Sequence, residues 1–275
     1  MDGVVLVDKG EGEGSRSCAA AVARRLGARK FGHAGTLDPF ASGLLIVLMG
    51  RACRTQDWFT RLPKEYEATA RLGAVSSTGD PEGTITETGN VPAEPLELPT
   101  GRVRQRPPVH SAVHVGGRRA YERARKGEQF ETPEREVEVY EFVETGRDGD
   151  SVDFLIRCGS GTYVRSLIAD LGDAYTTRLR RTAVGPFTVE EADPGRIIPI
   201  AEALVFLPTV TLGPQDARRA GHGVALSSSG PPAEARWQHP AVDPEEVLLV
   251  DHGEAVAIAA EAEGGLLKPI VGFRG

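Results

Sequence analysis

The chain has 275 residues, 40% hydrophobic and 26% charged, the balance of an ordinary globular protein with room for one large domain and a smaller one. Its three cysteines, Cys18, Cys53 and Cys158, are widely separated, which excludes a disulfide framework and a paired-cysteine zinc site. No apolar run approaches a membrane span and the N-terminus lacks the features of a secretion signal, so the expected setting is the cytoplasm.

The net charge of −7 argues against a nucleic-acid partner, but its distribution argues for one. Residues 101–126 hold eight Arg or Lys against one acid, Glu122, and residues 9–61 hold nine against four; 131–153 and 190–275 are acidic. Over a Debye length of about 8 Å, a polyanion senses the local patch more than the distant total.

In chain order, "GVVLVDKG" (3–10) reads as a short buried strand and "SRSCAAAVARRLG" (15–27) as a helix with a serine cap and a terminal glycine. "GHAGTLDPFASG" (32–43) is a glycine-rich turn ahead of the apolar run Leu44–Met49. Taken alone, its Asp38-Pro39 pair fits a helix start. "YEATARLG" (66–73) alternates apolar and polar residues and predicts a half-buried strand. Residues 82–100 form a Pro/Gly-rich acidic connection. The basic segment that follows is broken by Pro107, Pro108, Gly116 and Gly117, and reads as a projecting arm over about 105–126.

His110 and His114 within the arm lack both a helix to align them and a third ligand, so no metal site is expected. Strands at 135–144 and 151–158 form a hairpin through "GRDGD", and a helix spans about 163–171, ending at Gly172. The tail from 207 carries short apolar pieces between glycine turns, the pattern of a small β-barrel. The whole predicts an α+β fold: a mixed, mainly antiparallel central sheet with flanking helices and the arm, over residues 1–206, plus a barrel-like unit over 207–275. Lys9 precedes the glycines of "DKGEGEGS" rather than following them, so this is not a P-loop, and neither a G-x-S-x-G elbow nor an H-E-x-x-H helix is present.

Five segments in order carry a family resemblance: Lys9 with the glycines after it; "GHAGTLDPFASGLL"; "KEYEATARLG" with "STGDPEG"; "QRPPVHSAVHVGGRRAYERAR"; and "GTYVRSLIADLG" with "LRRTAVGPF". The chain resembles the TruB-type pseudouridine synthases, which isomerise a uridine in the T-loop of transfer RNA. The tail after 207 is similar, more weakly, to that family's PUA-type RNA-binding domain.

The resemblance implies that Asp38 is the catalytic carboxylate, either attacking C1′ or withdrawing the C2′ proton. It implies that Arg165 supplies the pairing charge, that Tyr66 stacks on the target base, and that His33 fills the place left by the flipped nucleotide. Lys9 is expected to support the pocket electrostatically and Leu179 to wall it. Arg118, Arg119 and Arg123 of the arm are expected to meet phosphates. A cytoplasmic monomer follows, with tRNA as partner and no metal or cofactor.

Gly10, Gly14 and Ala34 depart from the residues common in the family, and "CGSG" lacks a usual lysine. None of these replaces a group assigned to catalysis. A guide-RNA-dependent synthase acting on ribosomal RNA, and a catalytically silent tRNA-binding or folding protein, are the alternatives.

Overall fold

The computed structural model describes residues 1–274 except 110, 112, 121, 122, 124, 125, 127, 129, 228–231, 241, 243 and 244. His110 and Arg125 of the basic segment, and the side chains of His114 and Arg119, therefore lie outside the described residues.

The centre of the molecule is a mixed sheet of nine strands. The strands are β1 (Gly3–Lys9), β2 (Phe31–Ala34), β3 (Ser42–Met49), β4 (Lys64–Leu72), β7 (Gly101–Gln105), β10 (Arg135–Asp148), β11 (Ser151–Cys158), β12 (Ala174–Val184) and β13 (Phe187–Thr188). They run in the order β1-β3-β12-β4-β11-β10-β7, with β2 added to β3 and β13 to β12. Among the described residues of this sheet, only the β3–β12 pair is parallel. β5 (Ala74–Ser76) and β6 (Ile85–Glu87) form a small ribbon beside it, and β8 (His114–Val115) and β9 (Arg118–Arg119) form another in the basic segment.

The apolar run after Asp38-Pro39 becomes a strand, not a helix. All eight residues of β3 are buried, because both faces of the sheet are covered there. Leu45, Val47 and Met49 pack with Val5 and Val7 against Cys18, Ala19 and Val22 of α1 (Ser15–Arg25). On the opposite face Leu44, Ile46 and Leu48 join Phe59 of α2 (Gln56–Arg61), Val184 and Phe206. α1 starts from Gly14 without a side-chain cap; Ser15, expected to cap it, turns its hydroxyl to Leu37 instead.

The hairpin forms as expected but is longer, with β10 reaching Asp148 and only Gly149 and Asp150 at the turn. Gly149 has φ +56, the left-handed conformation that such tight turns need. The expected helix at 163–171 is the shorter α3 (Val164–Ala169).

A second sheet of five strands lies towards the C-terminus: β14 (Thr209–Thr211), β15 (Leu226–Ser227), β16 (Glu246–Asp251), β17 (Glu254–Ala262) and β18 (Leu266–Gly272). Its order is β14-β16-β17-β18-β15, and among the described residues no pairing closes β14 on β15, so the expected barrel-like unit is present only in part, as an open sheet. α4 (Ile200–Ala203) leads into it, and α5 (Pro214–Gly221) covers one face through Ala217 and Ala220. Leu248, Val250, Ile258 and Phe273 enter the same apolar cluster as β3 and α2. Trp58 Nε1 also donates to Glu246 at 2.7 Å, so the two sheets share one core.

Candidate active site

The loop between β2 and β3 carries Asp38 and is held from beneath by three groups. Lys9, completely buried at the end of β1, donates from Nζ to the carbonyls of Gly10 and Glu13, both at 2.8 Å, and to that of Pro39 at 3.4 Å. Ser15 Oγ accepts from the Leu37 N–H at 2.9 Å and donates to the Leu37 carbonyl at 2.8 Å. The Gly12 N–H donates to the Pro39 carbonyl at 2.7 Å. Buried backbone groups need partners, and here those partners fix the residues on both sides of Asp38. The glycines after Lys9 let the chain turn back to supply them; Gly12 has φ +77.

Arg165 reaches Asp38 from the start of α3. Its Nη2 lies 2.9 Å from Asp38 Oδ2, and its Nη1 lies 2.8 Å from Asp80 Oδ2. Nη1 also donates to the Thr78 carbonyl at 2.7 Å. The Arg165 side chain is 2% exposed, Asp80 5% and Asp38 29%. Asp80 is itself fixed, accepting from Thr78 Oγ1 at 2.5 Å and from the Glu82 N–H at 3.1 Å. One guanidinium thus binds two carboxylates, of which only Asp38 reaches solvent appreciably. Burial pushes the Asp38 carboxyl above the ordinary carboxylate value; Arg165 pulls it down, while the Asp80 charge adds to the rise.

Asp38 and Arg165 open onto a cavity of about 240 Å³. Its lining includes Tyr66 and Lys64 from β4, Leu179 and Arg181 from β12, and Tyr163. Tyr66 is 9% exposed, and burial pushes its phenol up to about 12 despite the opposing charge of Arg181, so it is neutral at ordinary pH. Arg181 donates from Nε to the Leu44 carbonyl at 2.8 Å and from Nη2 to the Gly35 carbonyl at 2.9 Å. That side chain passes beneath the Asp38 loop because β3 and β12 approach closely at Gly43, where a Cβ would stand 2.2 Å from the Arg181 carbonyl oxygen.

Asp38, Tyr66, Arg165 and Leu179 therefore meet at one cavity. Lys9 acts from below the loop, outside the lining, and His33 sits half-buried on β2, also outside it. In the arm, Arg118 and Arg123 both pair with Glu128, at 2.9 and 2.7 Å, and Arg123 lies over the Phe130 ring at 4.3 Å. Arg106 likewise pairs with Glu131 and Glu134. The acids just after the basic segment thus fold back onto it, which a charge count ending at residue 126 misses.

The arm leaves from the edge strand β7, and its root is tied to α3. The Tyr163 N–H donates to Gln105 Oε1 at 2.7 Å, and Ser166 Oγ donates to the Arg106 carbonyl at 2.8 Å. Three charged groups of the site escaped the sequence reading: Lys64 and Arg181, which line the cavity, and Asp80, which holds Arg165 behind it. Each stands inside or beside a quoted motif, but a charged residue in a motif gives no sign of being buried. Among the described residues no group of three or more His, Cys, Asp or Glu is placed to hold a metal ion, and no helix is long and apolar enough to cross a membrane.

Residues 23–164 match the family described as TruB family pseudouridylate synthase (N terminal domain). A protein of Thermobifida fusca named tRNA pseudouridine synthase B is 40% identical over 304 aligned positions, covering 100% of this chain and 99% of its own. The chain belongs to the TruB family of pseudouridylate synthases. A second relative of that name, from Geobacillus thermodenitrificans, is 36% identical over the full length of both chains. Among solved structures, a Cbf5-Nop10-Gar1 complex contains a chain matching with TM-score 0.69 and 25% identity, over 99% of this chain and 84% of that one. An H/ACA RNP bound to a substrate RNA containing 2'-deoxyuridine contains another, at 0.71 and 24%, a likeness of fold.

Proposed function

We propose that this protein converts a uridine in the T-loop of tRNA to pseudouridine, with Asp38 as the reacting carboxylate. The observation that carries the reading is the Asp38–Arg165 pair at 2.9 Å opening onto a cavity walled by Tyr66 and Leu179. The reaction breaks the bond from base N1 to ribose C1′, turns the base, and rejoins it through C5. No electrons or atoms are gained overall, so one placed carboxylate meets its needs. Arg165 keeps Asp38 ionised against the cost of burial, and Asp80 keeps Arg165 in place. Asp38 then either bonds to C1′ or takes the C2′ proton.

The target base lies in a folded loop and must leave its stack, at a cost of a few kcal/mol. Tyr66 offers the base an aromatic face, and His33, on the strand leading into the Asp38 loop, fills the vacated place. Arg118, Arg119 and Arg123 of the arm meet T-arm phosphates, exchanging Glu128 for RNA where they are paired. Residues 207–275 act as a PUA-like RNA-binding unit beside the catalytic part at 1–206, in a cytoplasmic monomer that needs neither metal nor cofactor.

The test is nucleoside analysis of a T-arm stem-loop transcript incubated with the protein and no other RNA. Pseudouridine at the one T-loop position is the expected result. A transcript left unmodified at every position would overturn the reading.

A further inference from the structure

Two buried cations flank Tyr66 and have no part in the chemistry above. Lys64 lies two residues before Tyr66 on β4, on the same face of the strand, and Arg181 lies directly across from Tyr66 on β12. Both line the cavity. Lys64 is 7% exposed and Arg181 1%. Buried cations are ordinarily matched by carboxylates, yet these are met by neutral groups. Lys64 Nζ donates to the carbonyls of Thr60 and Leu62. Arg181 donates to those of Leu44 and Gly35 and stands opposite Tyr66 in the β4–β12 register. Among the described residues neither forms an ion pair with a carboxylate. This side of the cavity is therefore positive, whereas Asp38, Arg165 and Asp80 together carry one net negative charge.

That polarity matches a particular moment of the reaction. When C1′–N1 breaks, its electron pair stays with the base, and uracil separates as an anion with charge spread over N1, O2 and O4. The carboxylate side repels such an anion. Fixed positive charge in a water-poor site is effective where charge develops, because it needs no reorganisation.

We propose that Lys64, supported by Arg181, is a further catalytic group that stabilises the uracil anion during glycosidic cleavage; this rests on the pseudouridine-forming reading above. The electron balance is simple. C1′ bonds to Asp38, or a C1′=C2′ double bond forms as Asp38 takes the C2′ proton; the base holds the released pair, and Lys64 keeps all its protons. Attack of C5 on C1′ uses that pair for the new bond as the Asp38–C1′ bond breaks or, on the other route, as Asp38 returns its proton to C2′. C5 then loses its proton and N1 gains one, which ends the need for the cation.

Lys64 faces Arg181 from β12, Cys158 from β11, Tyr66 on its own strand, and Asp38 and Arg165 across the cavity. Burial and the Arg181 charge push its ammonium down to about 7, while Cys158 acts the other way. The cation is consequently lost as pH rises through neutrality in the free enzyme.

The experiment compares Lys64→Met and Lys64→Arg with wild type on a T-arm stem-loop bearing uridine or 5-fluorouridine at the target. Single-turnover loss of the target nucleoside is followed by digestion and chromatography. Fluorine withdraws electrons from the departing ring, so that substrate needs less help from the enzyme. Lys64→Met should slow uridine cleavage about 100-fold or more, with a defect at least ten times smaller on 5-fluorouridine. Lys64→Arg should restore most of the rate and remove the wild-type fall in kcat/KM above neutral pH. Equal defects on both substrates would assign Lys64 to holding the Thr60 and Leu62 carbonyls and overturn the proposal. So would an alkaline fall unchanged in Lys64→Arg, a readout that stands even if Lys64→Met fails to fold. Wild type inactive on both RNAs would overturn the parent reading instead.

Discussion

Replacing Arg165 by Met removes the cation that Asp38 and Asp80 share. Both charges lie within 3 Å of the guanidinium, and the Arg165 and Asp80 side chains are only 2% and 5% exposed. Removing one partner of a buried ion pair costs about 3–5 kcal/mol, because the remaining charge is left uncompensated; here two like charges remain. At roughly 2–4 °C per kcal/mol for a chain of this size, melting should fall by roughly 10 °C at pH 8.

The deficit should also depend on pH. Burial already raises the Asp38 carboxyl above 3.8, so the fold disfavours its ionised form. Stability from this group is therefore greatest below the ordinary carboxylate value and declines as pH rises through the interval up to the raised one. Arg165 holds that interval down, and its loss extends it upward. Urea unfolding of wild type and Arg165→Met at pH 8 and pH 5 should show a large deficit at pH 8 that shrinks at pH 5. A deficit of the same size at both would refute the shared-counter-ion account.

Gly43→Ala should yield little soluble folded protein, since the new Cβ would stand 2.2 Å from the Arg181 carbonyl oxygen at φ +106; wild-type yield and melting would contradict the close approach of β3 and β12. Ser15→Ala strips Leu37 of partners for both its N–H and its carbonyl, costing about 1–3 kcal/mol. It should lower kcat while stem-loop affinity holds, and a drop in affinity alone would contradict its place under the Asp38 loop. Glu128→Gln releases Arg118 and Arg123 from their partner. Anisotropy titrations from 50 to 400 mM salt, conditions chosen for the assay, should show tighter RNA binding and a slope steeper by about one to two; weaker binding at every salt concentration would remove the arm from the contact surface.

The elements that carry the site were legible from local pattern, whereas the pairing of Asp38 with Arg165 was implied only by the family resemblance. The glycine-rich turn around Asp38 and the alternation around Tyr66 both appear in the structure, as does the helix start at Arg165, and the first and last of these meet at 2.9 Å. Burial of charge was not legible. "AYTTRLRRTAV" reads as polar, yet it forms the strand β12 between β3 and β4, with Arg181 1% exposed; only carbonyls from the distant β2–β3 region make that tolerable. Asp80 gave no signal, since its partner lies 85 residues away. Ser15 illustrates the same limit, because its hydroxyl suited a local cap but serves a loop 22 residues on. The C-terminal strands at 246–251 and 254–262 followed from their apolar runs. Their merger into the core of the first sheet, through Ile258 and Phe273, depended on packing that no local pattern records.

The most direct measurement places tritium at C5 of the target uridine in a T-arm stem-loop and compares wild type with Asp38→Asn. Asparagine keeps the shape of the side chain but has no carboxylate with which to bond C1′ or take a proton. Wild type should release the label, while Asp38→Asn should bind the RNA with similar affinity and release none. Release by Asp38→Asn at the wild-type rate would contradict the account.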